Sequence, residues 1–302
     1  MMIVKIGGGA TINLPGIVQD LVGRSEPMII VHGANALRDE IGNKIGQTVR
    51  TITALSGVES VYSDDALIDL MFMSYSGLRN KRLIELCQRH GINALGLTGL
   101  DGRLIEGERN GAVRIREGGK TLIVRDNSGK PRRVNVSLMQ LLLENGYTPV
   151  ITVPICDAEG RAINTDNDDI IALLHRELHA TTVLQFIEAP GLFQDKNDPA
   201  SLISHLSSSE LSAWEARVEG RMRRKIIGIR TLFEAGASKV IIADGRRDRR
   251  SDRHRAAPSR PPCRYARRAP RKRRDSALPA PHRPRKRRVP AALPACRCDR
   301  GG

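Results

Sequence analysis

The sequence lacks the long apolar runs and the secretory leader that would direct a chain into or across a membrane. No apolar run approaches the ~20 residues that a transmembrane helix needs, and the first residues enter a strand-like segment without a signal-peptide pattern. Cysteine is also scarce. Only Cys87 and Cys156 precede residue 246, too few for a disulfide framework. We therefore expect a cytoplasmic protein.

Basic residues are in excess only near one end of the chain. The formal net charge is +16, but residues 246–302 hold 21 Lys/Arg against 4 Asp/Glu, whereas residues 1–245 hold 28 against 29. A nucleic-acid-binding protein acting through this tail is one hypothesis, and its affinity would fall steeply with salt. The tail has a single aromatic residue, Tyr265, and no folded motif, so we expect no specific nucleic-acid partner.

The tail differs from the rest of the chain in more than charge. It holds 9 of the 16 prolines and 3 of the 5 cysteines. A segment so charged and so poor in large apolar side chains cannot offset its ordering entropy, which predicts a disordered basic tail.

Residues 1–245 alternate between two patterns typical of an α/β fold. Short branched apolar runs predict buried parallel strands, at Met2–Ile6, Met28–Val31, Ala94–Leu97, Pro149–Val153, Thr182–Ile187 and Lys239–Ala243. Helical patterns lie between them, at Gly16–Val22, Ala34–Gly46, Asp64–His90, Ser137–Glu144, Asp166–Leu178 and Gly220–Ala235. Turn signals within residues 102–135 predict an antiparallel excursion. The alternation predicts a mainly parallel open sheet, with the ligand at the carboxyl ends of its strands.

Glycine turns follow the first two predicted strands. Lys5 precedes Gly7, Gly8 and Gly9, and the second strand leads into 32–35, His-Gly-Ala-Asn. Backbone amides in such turns bind anions, and a lysine adds a point charge suited to phosphate. Each turn alone is also compatible with a plain strand-to-helix connection, and we interpret His32 as a structural histidine.

Two further segments carry more charge than helix capping requires. Residues 164–169, Asn-Thr-Asp-Asn-Asp-Asp, precede one helix, and a basic run at 221–225 opens another despite the unfavourable helix dipole. A carboxylate that holds lysines around a phosphate would explain the first run, and phosphate binding or a solvated face the second. Together with the glycine turns, these segments indicate phosphoryl transfer.

In these residues the chain resembles the amino-acid kinase family, and within it the acetylglutamate kinase branch. The motifs, in family order, are VKIGGG, VHGA, GLTGLDGRL (Gly96–Leu104), AINTDND and GRMRRK, and the resemblance covers residues 1–245. GLRNKRLIEL, GLTGLDGRL and AINTD are most similar to the members that phosphorylate α-aminoadipate attached to the carrier protein LysW. The resemblance implies a three-layer α/β/α sandwich with an acceptor-binding and dimerisation lobe (1–175) and an ATP-binding lobe (176–245).

The resemblance also implies roles for individual residues, with ATP and Mg²⁺ as cofactors and no metal ligand in the protein. Lys5 and Lys225 would neutralise the moving phosphoryl group, and Asp168 would orient both lysines. Phosphate oxygens would meet the amides of Gly7, Gly8, Gly33 and Ala34. The acceptor would contact Arg50 and Asn164, and the nucleotide would contact Glu188, Gly191, Leu192 and Met222. Expected partners are a second copy of the chain and the acidic LysW, for which Arg109, Arg114, Arg116, Lys120, Arg132 and Arg133 are docking candidates.

The chain departs from the family pattern at three places. Val61 stands where relatives carry an arginine for the substrate's α-carboxylate, and Ile187-Glu188 replaces a hydroxyl-containing nucleotide motif. After Arg246 the composition changes abruptly, which we interpret as a shifted reading frame or a gene-model error that removes the last elements of the ATP lobe. Free N-acetylglutamate kinase activity and a non-catalytic relative therefore stay open as alternatives.

Overall fold

A computed structural model describes most of the chain before the basic tail. The described residues are 1–53, 55, 59–117, 120–195, 198–203, 205–216, 220–234, 236–237, 239–247 and 263–266. They all belong to one unit, Met1–Arg268. The side chains of 59, 113, 117, 199, 208–209, 220–225 and 263–266 lie outside this description.

Strands and helices alternate along the chain as the apolar pattern predicts. The strands are β1 (Met2–Ile6), β2 (Met28–His32), β3 (Thr51–Thr53), β4 (Glu59–Val61), β5 (Ala94–Thr98), β6 (Ile105–Arg109), β7 (Val113–Glu117), β8 (Lys120–Val124), β9 (Gly129–Val134), β10 (Thr148–Thr152), β11 (Ile155–Cys156), β12 (Ala162–Ile163), β13 (Thr182–Ile187), β14 (His205–Ser207), β15 (Lys239–Asp244) and β16 (Cys263–Ala266). The α-helices are α1 (Leu14–Leu21), α2 (Asn35–Lys44), α3 (Asp65–Met71), α4 (Asn80–Arg89), α5 (Val136–Glu144), α6 (Asn167–Leu178), α7 (Ser208–Glu215) and α8 (Gly220–Glu234).

The central sheet has eight strands within the described residues, in the order β14-β16-β15-β13-β1-β2-β10-β5. Every pairing is parallel except that of β15 with β16. β1 lies inside the sheet, with Lys5 opposite Gln185 of β13 and Val31 of β2. The mainly parallel open sheet is thereby confirmed, and the carboxyl ends of β1, β2 and β13 lie side by side.

A hydrophobic core covers each face of this sheet, which gives three layers. Successive strand residues point to opposite faces, so Ile3 joins the core that contains Ile170 of α6. Val4 joins the opposite core with Ile17 of α1 and Leu83 of α4. Because the strands are buried on both faces, helices cover both sides of the sheet, as the predicted α/β/α sandwich requires.

The predicted helix Asp64–His90 is present but contains a π-helical stretch, Phe72–Arg79, between α3 and α4. The Ser74 hydroxyl donates to the Leu70 carbonyl at 2.6 Å, a side-chain bond that accompanies helix bending. Leu70 packs in one core and Leu83 in the other. The helix thus crosses the sheet at the edge formed by β5.

The predicted antiparallel excursion is also present. β6 pairs antiparallel with β9, and β7 pairs antiparallel with β8 in a separate hairpin. β11 connects β6 to β12, so a second sheet in the order β12-β11-β6-β9 lies next to the main sheet. This second sheet brings residues 105–109 close to the segment that precedes α6.

One segment of the basic tail differs from the expectation of disorder. Cys263–Ala266 forms β16, which pairs with β15 and β14, and its aromatic residue Tyr265 has a high strand preference. Residues 248–262 and 267–302, to which the expectations of disorder and of a shifted frame also apply, lie outside the described residues. Within the described part, no helix is both long and apolar enough to cross a bilayer.

Candidate active site

The glycine turns after β1 and β2 pack directly against each other. Gly33 N donates to the Ile6 carbonyl at 2.9 Å, and Ala36 N donates to the Gly8 carbonyl at 2.9 Å. A Cβ on Gly8 would lie 2.6 Å from Ala34 N, closer than a side chain can approach. The predicted phosphate-binding residues Gly7, Gly8, Gly33 and Ala34 therefore form one backbone surface whose narrowest point only glycine fits.

Lys5 and Asp168 form an ion pair next to these turns. Lys5 lies near the carboxyl end of β1, and Asp168 lies in the first turn of α6, where the helix dipole favours a carboxylate. The lysine side chain is 17% exposed and the aspartate 56%. The pair is therefore open to solvent on the aspartate side, where a ligand can reach the lysine.

The neighbouring carboxylates of α6 are held differently. Lys130 of β9 donates to Asp169 Oδ2 at 2.6 Å. Although Asp166 as a residue is exposed, lost hydration raises the pKa of its carboxyl, and the nearby charges of Asp169 and Asp168 raise it further. The mouth of the site therefore contains two lysine–aspartate pairs and one carboxyl, that of Asp166, whose pKa is raised.

His32 supports the turn from inside the protein. The residue is fully buried, with Nδ1 3.3 Å from the Gly33 carbonyl and Nε2 3.1 Å from the Asn80 side-chain nitrogen. A carbonyl can only accept, so Nδ1 carries the proton. Burial lowers the pKa of His32 to about 3; the bond to the Gly33 carbonyl opposes this shift, and the charge of Arg79 adds to it. The geometry matches the interpretation of His32 as a neutral structural residue.

Asn164, the predicted acceptor contact, is fixed between two loops. Its side-chain amide donates to Ser63 Oγ at 3.0 Å, and its backbone N–H donates to the Asn127 carbonyl at 2.7 Å. Arg50, the other predicted contact, stacks on Tyr62 with 5.5 Å from guanidinium carbon to ring centroid.

The residues predicted for nucleotide binding lie on the other side of the glycine turns. Glu188 Oε1 accepts from Thr11 N at 2.9 Å and from Thr11 Oγ1 at 2.8 Å. A Cβ on Gly9 would overlap this carboxylate. Gly191 and Leu192 are both buried, and the Leu192 side chain belongs to the core beneath α8. Glu188 therefore closes the glycine loop, a contact that no sequence pattern predicted.

Met222 and Lys225 lie in the first half of α8, which packs beside α6. The side chains of both residues are outside the described part, so their predicted roles stay predictions.

Asp244 and Arg246, at the end of β15, form an ion pair at 2.8 Å. Loss of hydration acts to raise the pKa of Asp244, but its hydrogen bonds with Arg246 outweigh this effect and keep the pKa below its usual range.

The six basic docking candidates fall into two groups. Three are paired within the protein: Arg109 with Asp157, Arg132 with Glu108 and Arg133 with Glu106. The others, Arg114 and Arg116 of β7 and Lys120 of β8, are exposed and have no ion pair with any described residue. We call the surface of Arg114, Arg116 and Ile123 the hairpin face, because Arg114 lies opposite Ile123 in the β7–β8 register and Ile123 is 67% exposed.

Residues 1–244 match the sequence model of the amino acid kinase family. The chain belongs to the amino acid kinase family. Its glycine turns, Lys5 and Asp168 all lie within the matched region.

Curated relatives give the comparison more detail. The chain is 37% identical over 252 residues to the [LysW]-aminoadipate kinase of Thermus thermophilus, covering 82% of this chain and 94% of the relative. It is 36% identical over 250 residues to the [LysW]-aminoadipate kinase of Deinococcus radiodurans, covering 82% and 86%. The acetylglutamate kinase of Methanosarcina barkeri is 29% identical over 255 residues, covering 81% and 77%.

Solved structures of other kinases share the fold. Carbamate kinase from Giardia lamblia bound to AMP-PNP superposes with a TM-score of 0.59 at 12% identity, covering 88% of this chain and 98% of that one. An isopentenyl phosphate kinase gives 0.53 at 17% identity, covering 88% and 100%. At these identities the likeness concerns architecture alone.

Sequence reasoning missed several residues around this kinase site. Ser63 and Asn127 orient Asn164, and Thr11 holds Glu188. Ser63 stands just before the helix-capping Asp64, which is a readable signal for a loop that approaches the site. Thr11 and Asn127 carry no comparable signal, because their contacts depend on which strands become neighbours.

Proposed function

We propose that this protein is an ATP-dependent kinase that phosphorylates the side-chain carboxylate of α-aminoadipate carried on LysW, forming an acyl phosphate for lysine biosynthesis. The observation that carries the proposal is the Lys5–Asp168 pair beside the packed glycine turns. The names of the relatives at 36–37% identity support the acceptor.

The residues present fit the phosphates of ATP. Gly8 approaches Ala34 and Asn35 so closely that a side chain would fill the space, and such glycine-lined backbone concavities accept phosphate oxygens. ATP supplies the phosphoryl group, and Mg²⁺ would accompany its phosphates, as this ion usually does in kinases. Glu188, Gly191, Leu192 and Met222 are proposed to surround the nucleotide.

Lys5 would neutralise the charge on the transferring phosphoryl group, together with Lys225 of α8. Asp168 keeps the Lys5 ammonium at the end of β1, so little reorganisation is needed in the transition state. The acceptor carboxylate is ionised near neutral pH and requires no general base. Asn164 and Arg50 are proposed to position the acceptor, which completes the in-line arrangement that phosphoryl transfer needs.

The hairpin face is our proposed docking site for the carrier. The resemblance implies an acidic LysW, and Arg114 and Arg116 have no ion pair with any described residue. Ile123 adds an exposed apolar contact between polar groups, a combination frequent in protein interfaces. The division into an acceptor lobe ending near residue 175 and an ATP lobe ending near residue 245 belongs to the same proposal.

A homodimer through the helix that crosses β5 is also proposed. Phe72, Met73 and Leu78 of the π-helical stretch are exposed by 37%, 44% and 42%, and β5 is an edge strand among the described residues. Apolar side chains that are exposed together on a helix surface favour association. A cytoplasmic location stays a prediction from the sequence.

Acyl phosphate formation tests the proposed function. The full chain would be incubated with MgATP and either LysW-linked α-aminoadipate or free N-acetylglutamate, with hydroxylamine trapping of the product. We expect hydroxamate only with the carrier-linked acceptor. Comparable product from free N-acetylglutamate would favour the acetylglutamate kinase alternative, which the 29% identical relative supports. Absence of product with both would contradict kinase activity.

A further inference from the structure

A cavity of about 360 Å³ lies beside β12, the short strand that precedes Asn164. Its lining includes Asp65, Asp69, Arg109, Asn127 and Arg161. Ala162 also lines it, two residues before Asn164. Asn127 accepts the Asn164 backbone hydrogen bond, so the cavity and the acceptor contact share one wall.

The guanidinium groups of the two arginines in the cavity lining differ in their hydrogen bonds. Arg109 donates to Asp157 Oδ2 at 2.5 Å and to Asn127 Oδ1 at 2.6 Å. Arg161 is bonded to Asp157 through its backbone alone: its N–H donates to Asp157 Oδ1 at 2.7 Å, and its carbonyl accepts from the Asp157 N–H at 2.9 Å. Its exposed guanidinium has no hydrogen bond or ion pair with any described residue. One buried carboxylate, Asp157, therefore fixes both residues but leaves the Arg161 guanidinium available.

One carboxylate of the cavity lining is available too. Asp65 accepts from Asn127 Nδ2 at 2.8 Å, whereas the Asp69 carboxylate has no such bond among the described residues. Asp69 and Arg161 line the same cavity without pairing with each other. This arrangement fits a ligand that presents an anion to Arg161 and a hydrogen-bond donor to Asp69.

We propose that this cavity binds the main-chain end of the acceptor, with its α-carboxylate against Arg161 and its acylated α-nitrogen N–H against Asp69. The inference rests on the proposed function, because it names the part of the substrate that lies away from the transferring group. An N-acyl amino acid has one free α-carboxylate and one amide N–H, matching the two unpaired side chains. Arginine binds carboxylates through two parallel hydrogen bonds.

The order of residues along the chain supports this orientation. Arg161, Asn164 and Asp168 follow one another from the cavity to the Lys5 ion pair. Three residues of extended chain span about 10 Å, so Arg161 and Asn164 can contact opposite ends of one small acceptor. The side-chain carboxylate would then point toward Lys5, where phosphoryl transfer is proposed.

Calorimetric binding of the acceptor, measured without ATP, tests this inference separately from turnover. The full chain and its Arg161→Ala variant would be titrated with LysW-linked α-aminoadipate and with the same acceptor carrying an α-carboxamide. Arg161→Ala should weaken binding of the carboxylate form by about 10-fold or more, the usual loss for a charge-assisted hydrogen bond. It should leave binding of the carboxamide form unchanged. Arg176→Ala, an exposed arginine of α6, is the matched control.

Asp69→Asn is the complementary variant and should weaken binding of both acceptor forms, because it acts on the α-nitrogen. If the wild type and Arg161→Ala prefer the carboxylate form over the carboxamide form by the same ratio of Kd values, the inference is overturned. Loss of hydroxamate formation together with Arg161-dependent binding would overturn the proposed kinase activity and leave this site standing.

Discussion

His32 shows how a single buried side chain couples the phosphate-binding turn to pH. The imidazole is neutral, with one nitrogen donating to Gly33 and the other accepting from Asn80. Protonation would leave a charge buried beside Arg79 and turn the acceptor nitrogen into a donor facing another donor. The turn therefore depends on the neutral form.

A pH dependence of stability follows from this burial. The folded pKa of His32 is about 3, below the ordinary value of 6.5, so the unfolded chain binds the proton first as pH falls. The contribution to stability is complete above pH 6.5 and is lost as pH falls toward 3. The stability lost by pH 5 amounts to about 2 kcal/mol.

Urea unfolding at pH 7.5 and 5 should show this loss in the wild type. The loss should be smaller by that amount in His32→Gln, and exposed His205→Gln is the control. Equal losses in wild type and His32→Gln would contradict it.

Among the structural elements, the turn between β1 and α1 is the most constrained by packing. A Cβ on Gly8 would lie 2.6 Å from Ala34 N and 2.7 Å from Asn35 N. Gly8→Ala should therefore separate the two turns, lower stability by roughly 1–3 kcal/mol as overpacking does, and raise KM for ATP. Urea unfolding and ATP kinetics measure the two effects.

Gly228 of α8 is the matched glycine for this test. A Cβ there would have nothing within 4 Å, and alanine is the better helix former. Gly228→Ala should stabilise the protein by about 0.5–1 kcal/mol without changing KM for ATP. A Gly8→Ala variant as stable and as active as Gly228→Ala would refute the proposed close packing.

The β7–β8 hairpin contains the proposed docking site for the carrier, whose basic residues can be tested. Reversing two charges of the hairpin face, in Arg114→Glu/Arg116→Glu, should raise KM for LysW-linked acceptor by about 10-fold or more, since rim charges mainly steer association. The effect should shrink at high salt, and KM for ATP should not change. Arg24→Glu, an exposed arginine of the chain outside the hairpin, is the control. Equal KM values for the double variant and Arg24→Glu would exclude this hairpin as the docking site.

The main elements could be predicted because each depends on local pattern. β1 and β13 match their expected bounds since both are short apolar runs buried on two faces. α7 was missed although Ser207 and Glu210 form a capping box, a readable signal. The three-residue strands β3 and β4 are too short to show alternation, and β16 lies in a segment whose composition indicates disorder.

The candidate site, too, could be predicted only in part. The pairing of Lys5 with Asp168, 163 residues apart, was implied by the family resemblance. Local pattern indicated a lysine beside a glycine turn and, separately, a carboxylate run at 164–169, but not which of these residues would meet. The bonds of Arg109 to Asp157 and of Glu188 to Thr11 arise from the way strands are ordered in the two sheets. Local sequence has no access to that order, so the free guanidinium of Arg161 could not be distinguished from the paired one of Arg109.

At the scale of the whole molecule, association through the helix that crosses β5 would bury the exposed Phe72, Met73 and Leu78. Leu78→Lys places a charge in that apolar surface and should convert a dimer into a monomer, as sedimentation velocity would measure. Leu141→Lys, at a 57% exposed leucine of α5, is the control and should leave the mass unchanged. A monomeric wild type, or a Leu78→Lys variant that stays dimeric, would exclude this interface.

Lys5, held by Asp168, is proposed to stabilise the transferring phosphoryl group. The most direct measurement is the rate of acyl phosphate formation by wild type, Lys5→Ala and Lys130→Ala, because both lysines pair with neighbouring aspartates of α6. Lys5→Ala should lower kcat by about 10²–10³-fold, the usual loss for a charge-stabilising group. Lys130→Ala should change it by no more than about fivefold, the value of a surface ion pair. Equal rates for the two variants would contradict this role of Lys5.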